Sequence, residues 1–161
     1  MATGMEVPTL GGIVLVDERK PDVSYRLLEE RAKLGNHVLC ITREPPERAV
    51  RRHRIENAEH YWLITRGTAN AVNPFDLEGL RVLIERFLRE HRHAVVFLDG
   101  VELLMVMNTY EEVRDLLLGL RTAIGDDGAG CVIPIDTRTL TARELGELKA
   151  SFPMVRNAAP S

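Results

Sequence analysis

Short, uniformly apolar runs separated by amphipathic helical stretches constrain this chain more than any other feature. Five such runs occur, at 12–16 (GIVLV), 37–42 (HVLCIT), 61–65 (YWLIT), 94–98 (AVVFL) and 131–135 (CVIPI). They are too short for buried helices and lack the alternation of a strand with one wet face, so they read as strands covered on both sides. Pro134 inside the fifth predicts an edge position or an irregular strand end.

The segments between them carry helix signals. Pro21-Asp22 opens a helix through Leu27, Leu28 and Ala32, and Gly35-Asn36 stops it. Pro45-Pro46 opens a short arginine-rich helix to about Arg54. Asp76 caps a helix whose stripe is Leu77, Leu80, Ile84, Phe87 and Leu88, with Arg81, Glu85 and Arg89 toward water. Thr109 and Glu112 form a capping-box pattern for a helix bearing Val113, Leu116, Leu117, Leu120 and Ile124, which Asp126-Asp127-Gly128 ends. Thr141 and Glu144 form another, for a last helix to about Phe152.

Strands alternating with helices imply right-handed crossovers, hence a three-layer αβα domain around a mostly parallel five-stranded sheet. The 161 residues fit one such domain, over 10–153, with a flexible leader at 1–9 and a flexible tail at 154–161. No internal repeat or linker divides it.

Basic residues number 21 and acidic ones 24, a net charge of −3, which gives no general pull toward nucleic acid or anionic membranes. No apolar run approaches the roughly 18 residues of a membrane span, and the first ten residues lack a signal-peptide pattern. A cytoplasmic location is expected. Cys40 and Cys131 lie inside apolar runs without metal-ligand spacing and read as buried thiols, a disulfide between them remaining open.

Ligands of an open parallel sheet sit beyond the carboxyl ends of its strands. That rim holds Asp17 and Glu18, Arg43 and Glu44, Arg66, Asp99, and Asp136. A P-loop would need glycines and an adjacent Lys-Ser/Thr pair after the first strand. The segment there is Asp17-Glu18-Arg19-Lys20-Pro21-Asp22-Val23-Ser24, with no glycine, several acids and a proline that removes an amide donor. A phosphoacceptor receiver is excluded by the missing aspartate after the third strand and the missing lysine after the fifth. His91 and His93 lie two apart, and His37, His53 and His60 are scattered, so neither a metal nor another cofactor is expected. No G-x-S-x-G elbow supports a nucleophilic hydrolase.

One charge concentration stands out. Arginines 43, 48, 51, 52 and 54 face only Glu44 and Glu47, and Arg48, Arg51 and Arg52 would share one side of a helix. Without interleaved aromatics, such a surface suits a protein partner better than a nucleic acid. The apolar stretch Leu103, Leu104, Met105, Val106 and Met107 is a second candidate contact surface, or ordinary core.

Five segments carry a family resemblance in their order and spacing. They are 40–46 (CITREPP), 62–65 (WLIT), 73–77 (NPFDL), 97–104 (FLDGVELL) and 132–136 (VIPID), the last followed by Thr139-Leu140-Thr141. The chain resembles the family of unknown function numbered 835, over about 14–152. That resemblance implies a mostly archaeal domain placed after sensor or receiver domains in signalling proteins. The same order of elements is similar to the RecA/KaiC-type ATPase core. Asp99 then matches the Walker B aspartate and Glu44 falls where the catalytic glutamate belongs, while residues 17–24 replace the phosphate loop. The expected function is therefore a non-catalytic signalling or protein-interaction module, binding a protein partner or itself. The competing expectation is a nucleotide-binding or hydrolysing enzyme using Arg43, Glu44, Asp99 and Asp136.

Overall fold

The computed structural model describes residues 12–125 and 128–156. Its strands are β1 (Gly12–Asp17), β2 (Val38–Thr42), β3 (Ala58–Leu63), β4 (Ala71–Val72), β5 (Val95–Asp99), β6 (Gly130–Ile135) and β7 (Met154–Arg156). Its helices are α1 (Asp22–Lys33), α2 (Pro46–Arg52), α3 (Leu77–Glu90), α4 (Val101–Met107), α5 (Tyr110–Ile124) and α6 (Ala142–Ser151). All strand pairs are parallel, in the order β4-β3-β2-β5-β6-β1-β7.

The expected α/β class and parallel sheet are present, but the sheet has seven strands among the described residues rather than five. Both extra strands are edge strands of only two and three residues, too short for an apolar run to announce them. β4 adds two residues beside β3. β7 aligns Met154 with Leu15 along β1, just after Leu15 N–H donates to the Pro153 carbonyl at 2.9 Å, so residues 154–156, expected as tail, extend the sheet. Residues 1–9, 157–161 and the Asp126-Asp127 break lie outside the described residues. The third strand begins at Ala58 rather than Tyr61, because its half-exposed start tolerates Glu59 and His60.

β6 sits inside the sheet, between β5 and β1, so Pro134 is not at an edge, and it stays in register with Val16 of β1 one residue before the strand ends. Gly130 N–H donates toward β5, so by alternation the missing N–H of Pro134 would face β5 too. The β5 ladder has already ended at Phe97↔Val132, so no sheet bond is lost there.

Right-handed crossovers put α1 and α2 on one face and α3 to α6 on the other. The thicker layer buries Leu80, Ile84, Leu104, Leu117, Leu120 and Leu148 on the sheet residues Leu15, Ile41, Leu98 and Ile133. On the other face Tyr25, Leu27 and Leu28 cover Val14, Cys40, Phe97 and Val132. Cys40 and Cys131 thus lie on opposite faces as free, buried thiols, each pushed up to about 12 by burial. Both expected capping boxes are formed, Thr109 with Glu112 and Thr141 with Glu144.

Candidate functional site: two crevices at the carboxyl edge

Two neighbouring strand pairs send their following helices to opposite faces: β2 with β5, and β1 with β6. Each pair is thus a topological switch point, and in such sheets the ligand crevice lies at the carboxyl edge of a switch point. The structure divides the sequence-predicted residues between them. Arg43, Glu44 and Asp99 meet at the first crevice, and Asp136 lies at the second.

In the first crevice Thr42 is in register with Asp99. The Arg43 guanidinium reaches across to the Asp99 carboxylate at 3.6 Å. The turn carrying Arg43 is tied down from both sides: the Trp62 indole N–H donates to the Arg43 carbonyl at 3.1 Å, and the Thr42 hydroxyl donates to the Glu44 carbonyl at 3.1 Å. Glu44 is itself paired with Arg52 at 2.9 Å. Behind Asp99, Gly100 adopts φ 151°, and a Cβ there would lie 2.7 Å from Leu63 Cδ1 and 3.1 Å from Arg43 Cγ. Glycine lets the start of α4 pass close beneath the arginine.

Asp99 is 8 % exposed. Burial pushes its carboxyl up to about 6, Arg43 pulls it down, and Glu102, Glu44 and Glu18 push it further up. Desolvation wins because the Arg43 side chain is 46 % exposed and its charge is shared with water.

Asp136 has the opposite environment. The Arg138 guanidinium donates to both of its carboxylate oxygens, at 2.9 and 2.8 Å, and holds the carboxyl down at about 2. Asp136 N–H donates to Glu102 Oε2 at 2.8 Å, while Glu102 Oε1 is buried with no hydrogen-bond partner. Asp17 accepts from the Thr137 hydroxyl at 3.0 Å and lies 3.6 Å from Arg156. Asp136 is therefore engaged in its own crevice, apart from the Arg43–Asp99 pair.

The turn after β1 contains the feature that sequence reading did not resolve. Glu18 is 6 % exposed, and its carboxylate turns back onto the first turn of α1. Val23 N–H donates to Oε1 at 2.9 Å, and Ser24 donates to Oε2 through both its N–H, at 3.0 Å, and its hydroxyl, at 2.6 Å. Pro21 at the helix entrance makes no side-chain cap, so Glu18 supplies the missing acceptor from outside the helix. This is the position an anion takes at a helix N-terminus, filled here by the chain's own carboxylate. The available signal was an acid just before a proline-opened helix with serine in its first turn. Glu102, joining the two crevices, was also missed, because α4 was read only as an apolar stretch.

The arginines expected to form a partner surface lie on a short helix. In α2, Ala49 is buried while Arg48, Arg51 and Arg52 are exposed, Arg52 pairing with Glu44. Among the described residues, no group of three or more His, Cys, Asp or Glu could hold a metal ion. His91 instead stacks on His37 with ring centroids 4.2 Å apart, and His53 stacks on Tyr25 at 3.5 Å. No helix among the described residues is long and apolar enough to cross a membrane.

Sheet order, crossovers and crevices together define a doubly wound α/β domain with charged switch points. A family model described as "Protein of unknown function (DUF835)" matches residues 17–152, and the chain belongs to that family. No curated protein matches the chain.

Proposed function

We propose that this domain is a non-catalytic signalling or protein-interaction module, built on a RecA-like scaffold whose phosphate site is filled from within. The observation that carries this reading is the Glu18 carboxylate, which takes the Val23 and Ser24 donors at the N-terminus of α1. A nucleotide phosphate would need those same donors and would meet a buried negative charge in their place. The strand order is compatible with the scaffold. β6 separates β1 from β5, so the turn after β1 and Asp99 share one edge, two strands apart, as a phosphate loop and a metal-holding acid would. The partner is a protein or a second copy of the chain.

A second reading, nucleotide binding or hydrolysis by an unfamiliar route, draws on Asp99, whose raised carboxyl in a crevice is a common mark of functional sites. Against it, Asp136 is held by Arg138, away from Arg43. Thermal unfolding with ATP, GTP and cyclic dinucleotides, with and without Mg²⁺, separates the two readings. A ligand at 100 times its Kd would stabilise the fold by about 2.7 kcal/mol. The interaction-module reading predicts no shift with any of them; a saturable shift would overturn it.

A further inference from the structure

Two exposed surfaces of opposite charge, each centred on apolar side chains, lie on opposite faces of the sheet. The first is built from α4 and the turn before α3. Leu104 anchors α4 in the core, while Val106 is 80 % exposed. The Asn108 side-chain amide donates to the Leu104 carbonyl at 3.0 Å and to the Pro74 carbonyl at 2.9 Å. That amide pins the turn bearing Phe75, 58 % exposed, beside the end of α4. The segments flanking it carry five exposed acids, Asp76, Glu78, Glu111, Glu112 and Asp115, against two arginines, Arg81, which pairs with Glu78, and Arg114, which pairs with Asp115.

The second surface is the outside of α2. Val50 is 46 % exposed there, between Arg48 and Arg51, which are exposed and form no ion pair among the described residues. Residues 43–54 carry five arginines against two glutamates. α4 packs into the core on one side of the sheet, whereas α2 follows a crossover on the other, so the two surfaces cannot meet within one copy.

We propose that the domain self-associates head to tail, the basic face of α2 on one copy seating on the acidic-rimmed face of α4 and Phe75 on the next. This rests on the interaction-module reading and names its partner as a second copy. Both members of a complementary pair are carried by one chain, and opposite charge with apolar centres selects and orients such a contact. Because the two surfaces lie on opposite faces of the sheet, one partner copy cannot engage both, so the contact is heterologous and extends into rings or filaments rather than closing as a symmetric dimer.

Sedimentation velocity on the full chain tests this with two variants, Val106→Asp and the double substitution Arg48→Glu/Arg51→Glu. Wild type is expected to gain mass with concentration, and less so at about 0.5 M salt, where exposed charges are screened. Each variant alone is expected to stay monomeric. Their equimolar mixture is expected to form a 1:1 heterodimer, since one retains an intact α2 face and the other an intact α4 face. Wild type that is monomeric at hundreds of micromolar, a monomeric mixture, or continued self-association of the arginine variant alone would each overturn the proposal. The changed residues are exposed, and a melting temperature for each variant confirms folding; Val106→Ser and Arg48→Ser/Arg51→Ser replace any variant that fails to fold. A monomer with a flat nucleotide screen defeats this contact alone, whereas a nucleotide-induced shift defeats the reading beneath it.

Discussion

Replacing Asp99 by asparagine should make the protein more stable at neutral pH, by an amount that the first crevice sets. Burial holds the Asp99 carboxyl at about 6 against an ordinary value of 3.8. That difference corresponds to roughly 3 kcal/mol of preference for the protonated form in the folded state. Well below 3.8 the group is protonated whether the chain is folded or not, and its contribution is fully present. As pH rises through about 6 the folded protein must carry a buried charge, and the contribution is lost.

Asparagine has the same shape and no charge at any pH. The unfolding free energy of Asp99→Asn minus that of wild type should therefore grow by roughly 2–3 kcal/mol between about pH 4 and pH 7.5. Taking the difference cancels the other titrating groups, including Asp136, whose depressed carboxyl removes stability only as pH falls from 3.8 through about 2. Urea unfolding at several pH values across that window measures it. A difference that stays flat, or shrinks as pH rises, would mean that Arg43 holds Asp99 charged and that desolvation does not dominate the crevice.

Removing the Glu18 carboxylate strands the Val23 and Ser24 donors, so Glu18→Ala should lose about 2–3 kcal/mol in urea unfolding and speed amide exchange at Val23 and Ser24. Gly100→Ala should destabilise by about 1–3 kcal/mol, because the added Cβ meets Leu63 and Arg43 while the backbone keeps a positive φ. The same variant should bring the Asp99 titration, followed by carboxyl NMR, further above its wild-type value as Arg43 is displaced. The Cys40 and Cys131 thiols, raised to about 12 and buried, should react with a thiol reagent only at the rate of unfolding; fast labelling of either in native protein would contradict their placement.

The fold was legible wherever burial made a segment uniform. β2, β5 and β6 are buried at every residue, and their apolar runs announced them directly. β4 and β7 were invisible because two or three half-exposed edge residues need no apolar signature. α4 was hidden differently. VELLMVM is apolar enough to pass for core, and only its three-dimensional setting leaves Val106 outside while Leu104 goes in. Strand ends placed Arg43, Glu44 and Asp99 at one edge from sequence alone. What sequence could not resolve was which acids are engaged. Asp136 and Glu18 read as equivalent rim carboxylates, yet one is held by Arg138 and the other caps α1 from within. Such pairings depend on backbone direction at a turn, which residue spacing does not encode.

The backbone ¹⁵N–¹H signals of Val23 and Ser24 test most directly whether the anion position at α1 is taken by the chain itself. With Glu18 seated there, both signals should shift on Glu18→Ala and, in the wild type, stay unmoved by millimolar magnesium triphosphate at neutral pH. Saturable displacement of those two signals by the triphosphate in the wild type, with no response to Glu18→Ala, would show that the position is open to a ligand and that the scaffold is not closed from within.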